Sequence, residues 1–395
     1  MFWLCLALVP VALAIAFPLT GALVSLGHRL RMFDSAGVAG QVKAPRRAIP
    51  NTGGIAIVTA MVLPAIIAII SAHAIPERII ADLVPALADH LPGIRSQTAL
   101  ALTFIGCLLV LHIVGLIDDR RPMGPWVKLG VMVGVAAVIV IALQTRLLTM
   151  LDAHVGGPWL SWLLTILWIV IVTNALNFMD NMDGLSAGVT SVAGTGFLIA
   201  ALVNTPPQWF VAAGLALLVG ACLGFLAFNK PPARIFMGDG GSLVLGFSLA
   251  FFTVRTTYYT TDAGAWYAVF MPLVVLAVPL YDFASVVLLR LTQGKSPFVG
   301  DLQHFSHRLV RRGLSKPAAV LVITGCTAIT AVGGVSLGSL RPWQAALVGI
   351  QTIIMLGVLA IFEWSSRAKV HDQASDHARS ESPQPGAAPA DTSSP

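Results

Sequence analysis

Long apolar runs dominate this sequence, and they restrict the folds open to it more than any other feature. Each run is about 20 residues long, which is the length an α-helix needs to cross a bilayer. Only 11% of the residues are charged, whereas a soluble domain carries about a quarter. We therefore predict an all-α polytopic membrane protein with about eleven transmembrane helices, near residues 2–27, 53–73, 97–117, 126–144, 159–175, 184–203, 208–228, 241–254, 266–289, 317–338 and 342–363.

Lys and Arg residues are divided unevenly between the loops that join these runs. All but five of the 24 lie in alternate loops or the C-terminal tail, and the exceptions are Arg78, Arg95, Arg146, Arg255 and Arg341. Because cytoplasmic loops carry the excess of Lys and Arg, we predict an outside N-terminus and a cytoplasmic C-terminus. The net charge of +6 is explained first by this topology and by attraction to anionic lipid, so no nucleic-acid partner is predicted.

Two segments differ from the predicted spans. Residues 76–91 carry Ile, Leu and Val on one face and charged residues elsewhere, which predicts a helix lying in the membrane interface. After residue 364, Ser, Ala, Pro and Asp prevail and large apolar residues are nearly absent. Such a composition cannot bury a core, so we predict a membrane domain over 1–364 and a disordered cytoplasmic tail over 365–395.

Amides and carboxylates recur at three-residue steps where one apolar run ends, at Asn174, Asn177, Asp180 and Asp183. The first three share one face at helical pitch. The helix dipole disfavours negative charge at the C-terminal end of a helix, and a bound cation would reverse that cost. A polar helix end that meets water explains any one of these residues, but their repetition favours a metal site.

A second pair of carboxylates, Asp118 and Asp119, also follows an apolar run. Neighbouring carboxylates at a helix C-terminus repel each other and the helix dipole, so they suit a divalent cation or a catalytic base. An exposed polar turn is the alternative interpretation of this pair.

The glycine-rich loop 234–242 opens the next apolar run. Asp239 can be a helix N-cap, while the glycines let the backbone approach a phosphate at a helix N-terminus. Phe236 can pack in the core or stack on a nucleobase. Asn229, at the end of the preceding run, brings an amide near the same loop.

Basic residues accompany these clusters. His304, His307, Arg308 and Arg311 share a helical face in the largest basic loop, and cations on one face suit a diphosphate. A topological signal is the simpler interpretation of Arg311. Lys128 can extend to lipid headgroups or bind a phosphate.

All of these clusters lie on the side of the basic loops. They predict a cytoplasmic-face active site that transfers a phosphoryl group between a soluble nucleotide and a lipid phosphate. A secondary transporter is the alternative from another class, since transporters hold ionisable residues near the bilayer midplane. His112 is the one ionisable group that we identify well inside a span near the site, and we favour a packed, hydrogen-bonded role for it.

Taken in order, the motifs resemble those of the polyprenyl-phosphate N-acetylhexosamine-1-phosphate transferases. The resemblance is closest to the bacterial branch that starts O-antigen, enterobacterial common antigen and teichoic acid synthesis from UDP-GlcNAc. It covers residues 1–364 and is carried by the segments 115–120, 174–184, 228–239 and 304–309.

The resemblance implies a reaction, a cofactor and partners. Undecaprenyl phosphate would attack the β-phosphorus of a UDP-N-acetylhexosamine in the bacterial inner membrane and release UMP, directly or through a covalent aspartyl phosphate. Mg²⁺, or Mn²⁺ in its place, would be the cofactor. The resemblance is compatible with a homodimer.

The resemblance also implies roles for individual residues. The implied catalytic residues are Asp118, Asp119, Asp180, His304, His307 and Arg308. The implied substrate-binding residues are Lys128, Asp183, Asn229 and Phe236, and the implied metal ligands are Asn177 and Asp239.

The chain departs from the family pattern at several positions. Ser306 stands third in the usual His-x-His-His motif, Met132 replaces a Gln, and the basic stretch with Arg46 and Arg47 lacks a His. The related enzyme that uses UDP-MurNAc-pentapeptide carries a run of consecutive histidines, which is absent here. That enzyme is therefore the second choice.

Overall fold

We describe the protein from a computed structural model, which covers residues 1–33, 48–258, 265–296 and 303–380 and gives side chains up to residue 363. Arg46, Arg47 and the last part of the predicted tail lie outside these ranges. The chain divides into two compact units, Met1–Thr352 and Ile353–Pro395. The last helix continues to Ser380, past the boundary predicted at residue 364, and the disorder of the tail stays a prediction.

Helices form nearly all of the regular structure, and the described ranges contain only two isolated β-bridges besides them. The α-helices are α1 (Phe2–Arg29), α2 (Gly53–Ala74), α3 (Glu77–Leu83), α4 (Pro85–Ala88), α5 (Leu91–Ser96), α6 (Thr98–Arg120), α7 (Pro125–Leu143), α8 (Trp159–Met179), α9 (Leu185–Val203), α10 (Trp209–Asn229), α11 (Asp239–Arg255), α12 (Met271–Val275), α13 (Ala277–Thr292), α14 (Phe305–Arg311), α15 (Lys316–Ser336) and α16 (Pro342–Ser380). This confirms the predicted all-α membrane architecture.

The number of spans is close to the prediction, but the count of eleven is not confirmed. Within the described residues, 9 helices are long and apolar enough to cross a membrane, or 10 if the bent pair of Trp266–Val275 and Ala277–Thr292 is one span. The helix α11 has 17 residues, which is at the lower limit of the length that crosses a bilayer.

The short helix α11 lies at the centre of the first unit. It packs against α2, α6, α8, α9 and α10, and its Phe247 and Phe251 rings stack on Phe104 of α6. Because other helices surround it, α11 needs no lipid-facing surface. Its N-terminus, which begins at Asp239, is therefore held among the ends of several other helices.

The helices α12 and α13 meet at a bend of 63°. Pro279 has no N–H to offer the carbonyl of Val275, so the regular helical ladder is interrupted there. Thr330 of α15 donates to that carbonyl at 3.4 Å. Because of this break, α13 is a separate helix, and it leads to the basic loop.

The segment 76–91, predicted as one interfacial helix, is divided into the short helices α3 and α4 and ends at Leu91, the first residue of α5. Pro85 explains the first division, because the residue before a proline is driven out of the helical region. Val84 accordingly has φ −140° and ψ 75°. Ile80 and Leu91 are buried with Ala72 in a small apolar cluster.

Candidate active site

The paired carboxylates of α6 lie in its last helical turn and have different hydrogen-bond partners. Asp118 Oδ1 accepts the N–H of Met123 at 2.6 Å, and its Oδ2 accepts from Lys128 Nζ at 3.0 Å. Asp119 is buried and accepts the N–H groups of Asp239 at 3.0 Å and Gly240 at 3.3 Å. The resemblance implies a catalytic role for both residues, and in the structure Asp119 caps the N-terminus of α11.

This cap compensates for an unusual helix start. Gly238 is the N-cap of α11 and has φ +67°, a backbone conformation that a residue with a side chain rarely adopts. A glycine has no side-chain oxygen to accept the first free N–H groups of the helix. The Asp119 carboxylate supplies those acceptors from α6, and the positive end of the helix dipole stabilises its charge.

Lys128, near the start of α7, joins two of the predicted site residues. Its Nζ donates to Asp118 Oδ2 at 3.0 Å and to Asp239 Oδ2 at 2.9 Å. The three side chains are 12–24% exposed, so the ammonium is only partly screened by water. Asp239 is the first residue of α11 rather than its N-cap, and its carboxylate projects into this cluster.

Asn177 of α8 completes the cluster. Its Nδ2 donates to Asp239 Oδ1 at 2.9 Å and to Ser242 Oγ at 2.8 Å. We name Asp118, Lys128, Asn177 and Asp239 the acidic cluster. The structure thus brings together four residues that are far apart in the sequence and that were each predicted to take part in the site.

The acidic cluster matches the donor chemistry of a hard divalent cation. Mg²⁺ prefers oxygen ligands, usually one or two carboxylates completed by water and phosphate. Asp118, Asp239 and the amide oxygen of Asn177 are such ligands. The described part of the chain has no group of three His, Cys, Asp or Glu side chains that could hold a metal ion, so water and phosphate would have to supply the remaining ligands.

Close backbone packing holds the acidic cluster in place. A Cβ on Gly115 would lie 2.4 Å from the nitrogen of Gly240, so α6 and α11 can approach this closely only with glycine there. One turn earlier, His112 Nδ1 lies 2.7 Å from the carbonyl oxygen of Gly240. His112 is buried and hydrogen-bonded, as predicted.

A second group of predicted residues ties two loops together. Asn229 accepts the N–H of Gly184 at 2.9 Å and donates to the carbonyl of Ile235 at 2.8 Å. Asp183 accepts the N–H of Ala233 at 3.0 Å. Both polar ends of the Asn229 amide are used by backbone groups, which argues that it shapes the loop rather than contacting a base directly.

Phe236 occupies a fixed position in that loop. Its N–H donates to the carbonyl of Pro50 at 2.8 Å, and its carbonyl accepts the N–H of Gly53 at 2.9 Å. The ring is half-buried, so its backbone is held firmly while part of the ring stays accessible. Asp180 directly follows α8, and its N–H donates to the carbonyl of Asn177 at 3.2 Å.

The basic loop does not display the cationic face that was predicted for it. His304 is the N-cap of α14, and it is buried together with Arg308. His304 Nδ1 lies 3.2 Å from Asp282 Oδ2, and Arg308 donates to Ser285 Oγ at 2.7 Å. Two members of the predicted face, His304 and Arg308, thus pack against α13, while Arg311 is exposed.

His307 lies on the same helix and is half-buried. Burial lowers the pKa of His307 to about 4, and the neighbouring His304, Arg311 and Lys316 add to this effect. The imidazole is therefore neutral at pH 7. It can exchange hydrogen bonds with a ligand, but it does not bring the positive charge that the sequence pattern suggested.

The end of α8 joins the two groups of residues. Asn177 belongs to the acidic cluster, while the ring of its neighbour Phe178 meets the ring of His304 edge-on at 5.4 Å. Asn181 Oδ1 accepts a hydrogen bond from Ser306 Oγ. The acidic cluster and the start of α14 thus form opposite sides of one site built around a single helix end.

Two buried charged residues near this site were not predicted from the sequence. Asp282 and Arg290 of α13 are each 1% exposed, and Asp282 contacts His304 as described. His112 is therefore not the one ionisable group inside a predicted span near the site, because Asp282 lies within the predicted span 266–289. A carboxylate inside a long apolar run was the available signal.

Comparisons with known proteins agree on one family. The family model described as "Glycosyl transferase family 4" matches residues 101–257, the range that contains the acidic cluster. A Bacillus subtilis protein named "Probable undecaprenyl-phosphate N-acetylglucosaminyl 1-phosphate transferase" is 30% identical over 271 residues, which are 68% of this chain and 74% of that protein.

Relatives from other bacteria carry similar names. The Mycobacterium tuberculosis H37Rv protein named "Decaprenyl-phosphate N-acetylglucosaminephosphotransferase" is 32% identical over 70% of this chain and 74% of its own length. The Yersinia pestis protein named "Undecaprenyl-phosphate alpha-N-acetylglucosaminyl 1-phosphate transferase" is 28% identical over 59% of this chain and 64% of its own length.

Proposed function

This chain belongs to the polyprenyl-phosphate N-acetylhexosamine-1-phosphate transferase family, and from that premise we propose that it starts a cell-envelope polysaccharide. It transfers GlcNAc-1-phosphate from UDP-GlcNAc to undecaprenyl phosphate. The acidic cluster is the observation that carries this proposal, because carboxylates, an amide and an ammonium suit reacting phosphates.

The reaction exchanges one phosphoanhydride bond for another. An oxygen of the acceptor phosphate forms a bond to the β-phosphorus of UDP-GlcNAc. The bond from the β-phosphorus to the oxygen that bridges the two phosphates breaks, and UMP leaves with that oxygen. The acceptor keeps its own phosphate, so the product is a lipid diphosphate that carries GlcNAc.

Asp118 and Lys128 act on the acceptor in this proposal. Lys128 already reaches two carboxylates, and its ammonium can neutralise the acceptor phosphate as it arrives. Asp118 then becomes available as a base for a proton on that phosphate.

Asn177 and Asp239 would hold Mg²⁺, or Mn²⁺ in its place, with Asp118 as a neighbouring carboxylate. When bound, the ion neutralises charge on the diphosphate and polarises its phosphorus–oxygen bonds. The capping of α11 by Asp119 keeps the Asp239 side chain in position without any ligand.

The loops at Asp183 and Phe236 would receive the uridine. The half-buried Phe236 ring offers a face on which a base can stack. Asp180, which directly follows α8, would also contact the nucleotide. Asn229 holds these loops together through Gly184 and Ile235. On the other side of the site, His304, His307 and Arg308 would bind the diphosphate or the sugar.

The proposal includes a location. Basic loops on one side favour a protein of the bacterial plasma membrane with its N-terminus outside and its site at the cytoplasm. UDP-sugars are cytoplasmic compounds, so this orientation lets the donor reach the acidic cluster. Undecaprenyl phosphate would enter from the bilayer.

The sequence pattern left two other functions open. The family and its relatives' names do not favour a secondary transporter or the UDP-MurNAc-pentapeptide enzyme. Asp282 lies inside a predicted span, but its carboxylate contacts His304 and Phe305 at the start of α14. This contact does not favour a role in a transport pathway at the bilayer midplane.

The test is UMP release by the purified full-length protein. UDP-GlcNAc, UDP-GalNAc, UDP-glucose and UDP-MurNAc-pentapeptide are supplied with and without undecaprenyl phosphate. We expect release only with UDP-GlcNAc and only with the lipid. The matched control is Asp239→Asn, which keeps the shape of the side chain and should be inactive. Release with another donor would replace the proposed substrate, and no release with any donor would refute the transfer.

A further inference from the structure

Asp282 is a fully buried carboxylate whose two oxygens are both used at the start of α14. Its Oδ1 accepts the N–H of Phe305 at 2.6 Å, and its Oδ2 lies 3.2 Å from Nδ1 of His304. A charge with 1% exposure is costly unless hydrogen bonds satisfy it. This cost calls for an explanation beyond helix capping, because a neutral oxygen could accept the Phe305 N–H equally well.

The contact with His304 supplies that explanation. An ionised carboxylate can only accept hydrogen bonds, so the Nδ1 that faces it must carry the proton. The two ring nitrogens of a neutral histidine have opposite roles, and the bond made by one sets the role of the other. Asp282 therefore leaves Nε2 of a neutral His304 as the hydrogen-bond acceptor.

We propose that Asp282 is a positioning residue that fixes the tautomer and orientation of His304 for the phosphate transfer proposed above. Only the role of His304 in phosphate transfer rests on the function proposed above. The Asp282–His304 bond itself can be measured without any substrate.

The rest of α13 supports a positioning role. One turn after Asp282, Ser285 accepts from Arg308, so one face of α13 holds two predicted site residues of α14. The Phe178 ring meets the His304 ring edge-on at 5.4 Å, and Arg290 lies over the Phe178 ring at 5.3 Å. Among the described residues, these contacts place four charged or titratable groups around His304, namely Asp282, Arg290, His307 and Arg308.

The Asp282→Asn variant separates positioning from capping. The Asn oxygen can still accept the Phe305 N–H, while its NH₂ group now faces Nδ1 of His304. That nitrogen must then become the acceptor, and the proton moves to Nε2. Helix capping survives this change, but the tautomer is inverted.

The experiment combines selective ¹⁵N-histidine NMR with kinetics on the full-length protein in detergent. The His304 signals, assigned by their loss in His304→Gln, should show a protonated Nδ1 in the wild type and a protonated Nε2 in Asp282→Asn. We expect kcat to fall about 10- to 100-fold, the range known for residues that orient metal-binding histidines, with the KM for UDP-GlcNAc nearly unchanged.

Asp152→Asn is the matched control. Asp152 accepts from Arg146 at 2.6 Å and belongs to no part of the proposed site. This variant removes a carboxylate from an ion pair, yet it should leave kcat and the His304 signals unchanged.

Three results would overturn the proposal: a wild-type His304 protonated at Nε2, an unchanged tautomer in Asp282→Asn, or wild-type kcat in that variant. If Asp282→Asn does not fold, the wild-type spectrum alone decides whether Asp282 holds the Nδ1 proton. If the wild type transfers no sugar phosphate, the proposed function fails, while the spectra still decide the bond between Asp282 and His304.

Discussion

At the scale of single residues, Lys128 is the cation on which the acidic cluster depends. Without it, Asp118 and Asp239 would face each other with no positive charge between them. We expect Lys128→Gln to be inactive and, in EDTA, less stable by about 1.5–3 kcal/mol, the usual value of hydrogen bonds to charged groups. Mg²⁺ should then raise its melting temperature more than that of the wild type.

Lys230→Gln serves as the control for this prediction, because Lys230 is an exposed lysine outside the acidic cluster. Thermal unfolding of both variants with EDTA and with MgCl₂ makes the comparison. A melting temperature of Lys128→Gln that does not rise with MgCl₂ would mean that no divalent ion binds at the acidic cluster.

Phe236 allows a sharper test of the uridine site, because its backbone is fixed by Pro50 and Gly53. Stacking of a base on an aromatic ring is worth about 1–3 kcal/mol, which corresponds to roughly fivefold to 150-fold in affinity. Phe236→Ala should raise the KM for UDP-GlcNAc by that factor and change kcat little. Phe236→Tyr should be mild, since the ring face is kept.

Melting temperatures of the same purified Phe236 variants provide the control. If Phe236 only packs the core, Phe236→Ala will melt at a lower temperature and keep its KM. That outcome would remove Phe236 from the nucleotide site.

His307 gives the protein a pH dependence whose sign follows from its environment. Its pKa falls from 6.5 to about 4 on folding, so the unfolded chain binds a proton more readily between these values. The stabilising effect of the neutral ring is complete above pH 6.5 and is lost as the pH falls towards 4. The wild type should therefore lose melting temperature over this range more steeply than His307→Gln. Parallel curves would contradict this interpretation.

The sequence revealed many of these residues but few of their partners. Asp118, Asn177 and Asp239 stand out because carboxylates and amides at the ends of apolar runs are unfavourable without a function. The division of labour between Asp118 and Asp119 could not be predicted, because it depends on α11 arriving beside α6. Asp282 was visible only as a carboxylate inside an apolar run, and its partner could not be predicted, because His304 reaches it only in the folded chain.

At the scale of helices, the crossing of α6 and α11 sets the geometry of the acidic cluster. An alanine at Gly115 would place its Cβ 2.4–2.6 Å from the backbone of Asp239 and Gly240, and backbone atoms cannot move aside as a flexible side chain does. Overpacking of this kind costs about 1–3 kcal/mol or more. Gly115→Ala should therefore melt at a lower temperature and lose activity as Asp239 is displaced.

The same helix provides the control, since Gly106 of α6 has open space where a Cβ would lie. Gly106→Ala should be neutral, or more stable by about 0.5–1 kcal/mol through helix propensity. Melting temperature and UMP release of both variants decide the matter. Similar behaviour of the two would show that the tight crossing does not control the site.

Periodicity and length predicted most of the helices because each must either cross a bilayer or pack in a bundle. The same reasoning failed where a proline changes the local backbone. Pro85 divides a segment that hydrophobic pattern alone presents as one helix, and Pro279 separates α12 from α13 within one apolar run. Helix α14 was visible as a basic face, but its burial depends on the partner helix α13.

At the scale of the whole molecule, the distribution of charge decides from which side the site is reached. Lys230 directly follows α10 and Lys295 follows α13, and the helix ends that build the site adjoin these loops. Arg78 lies in the short helix α3, which follows α2, and Arg341 directly precedes α16, so both lie at the other ends of the neighbouring spans. A soluble UDP-sugar can use the acidic cluster only if the loops of Lys230 and Lys295 face the cytoplasm.

Cysteine labelling in intact cells tests this orientation. The four native cysteines are first replaced by alanine, and single cysteines are introduced at the exposed positions Arg78, Arg341, Lys230 and Lys295. A membrane-impermeant maleimide should label positions 78 and 341 from outside, and positions 230 and 295 only after lysis, because Lys and Arg are retained on the cytoplasmic side. UMP release by each variant confirms that the labelled protein is folded. Labelling of 230 and 295 from outside would place the acidic cluster away from cytoplasmic UDP-GlcNAc, and both the orientation and the donor would then have to be abandoned.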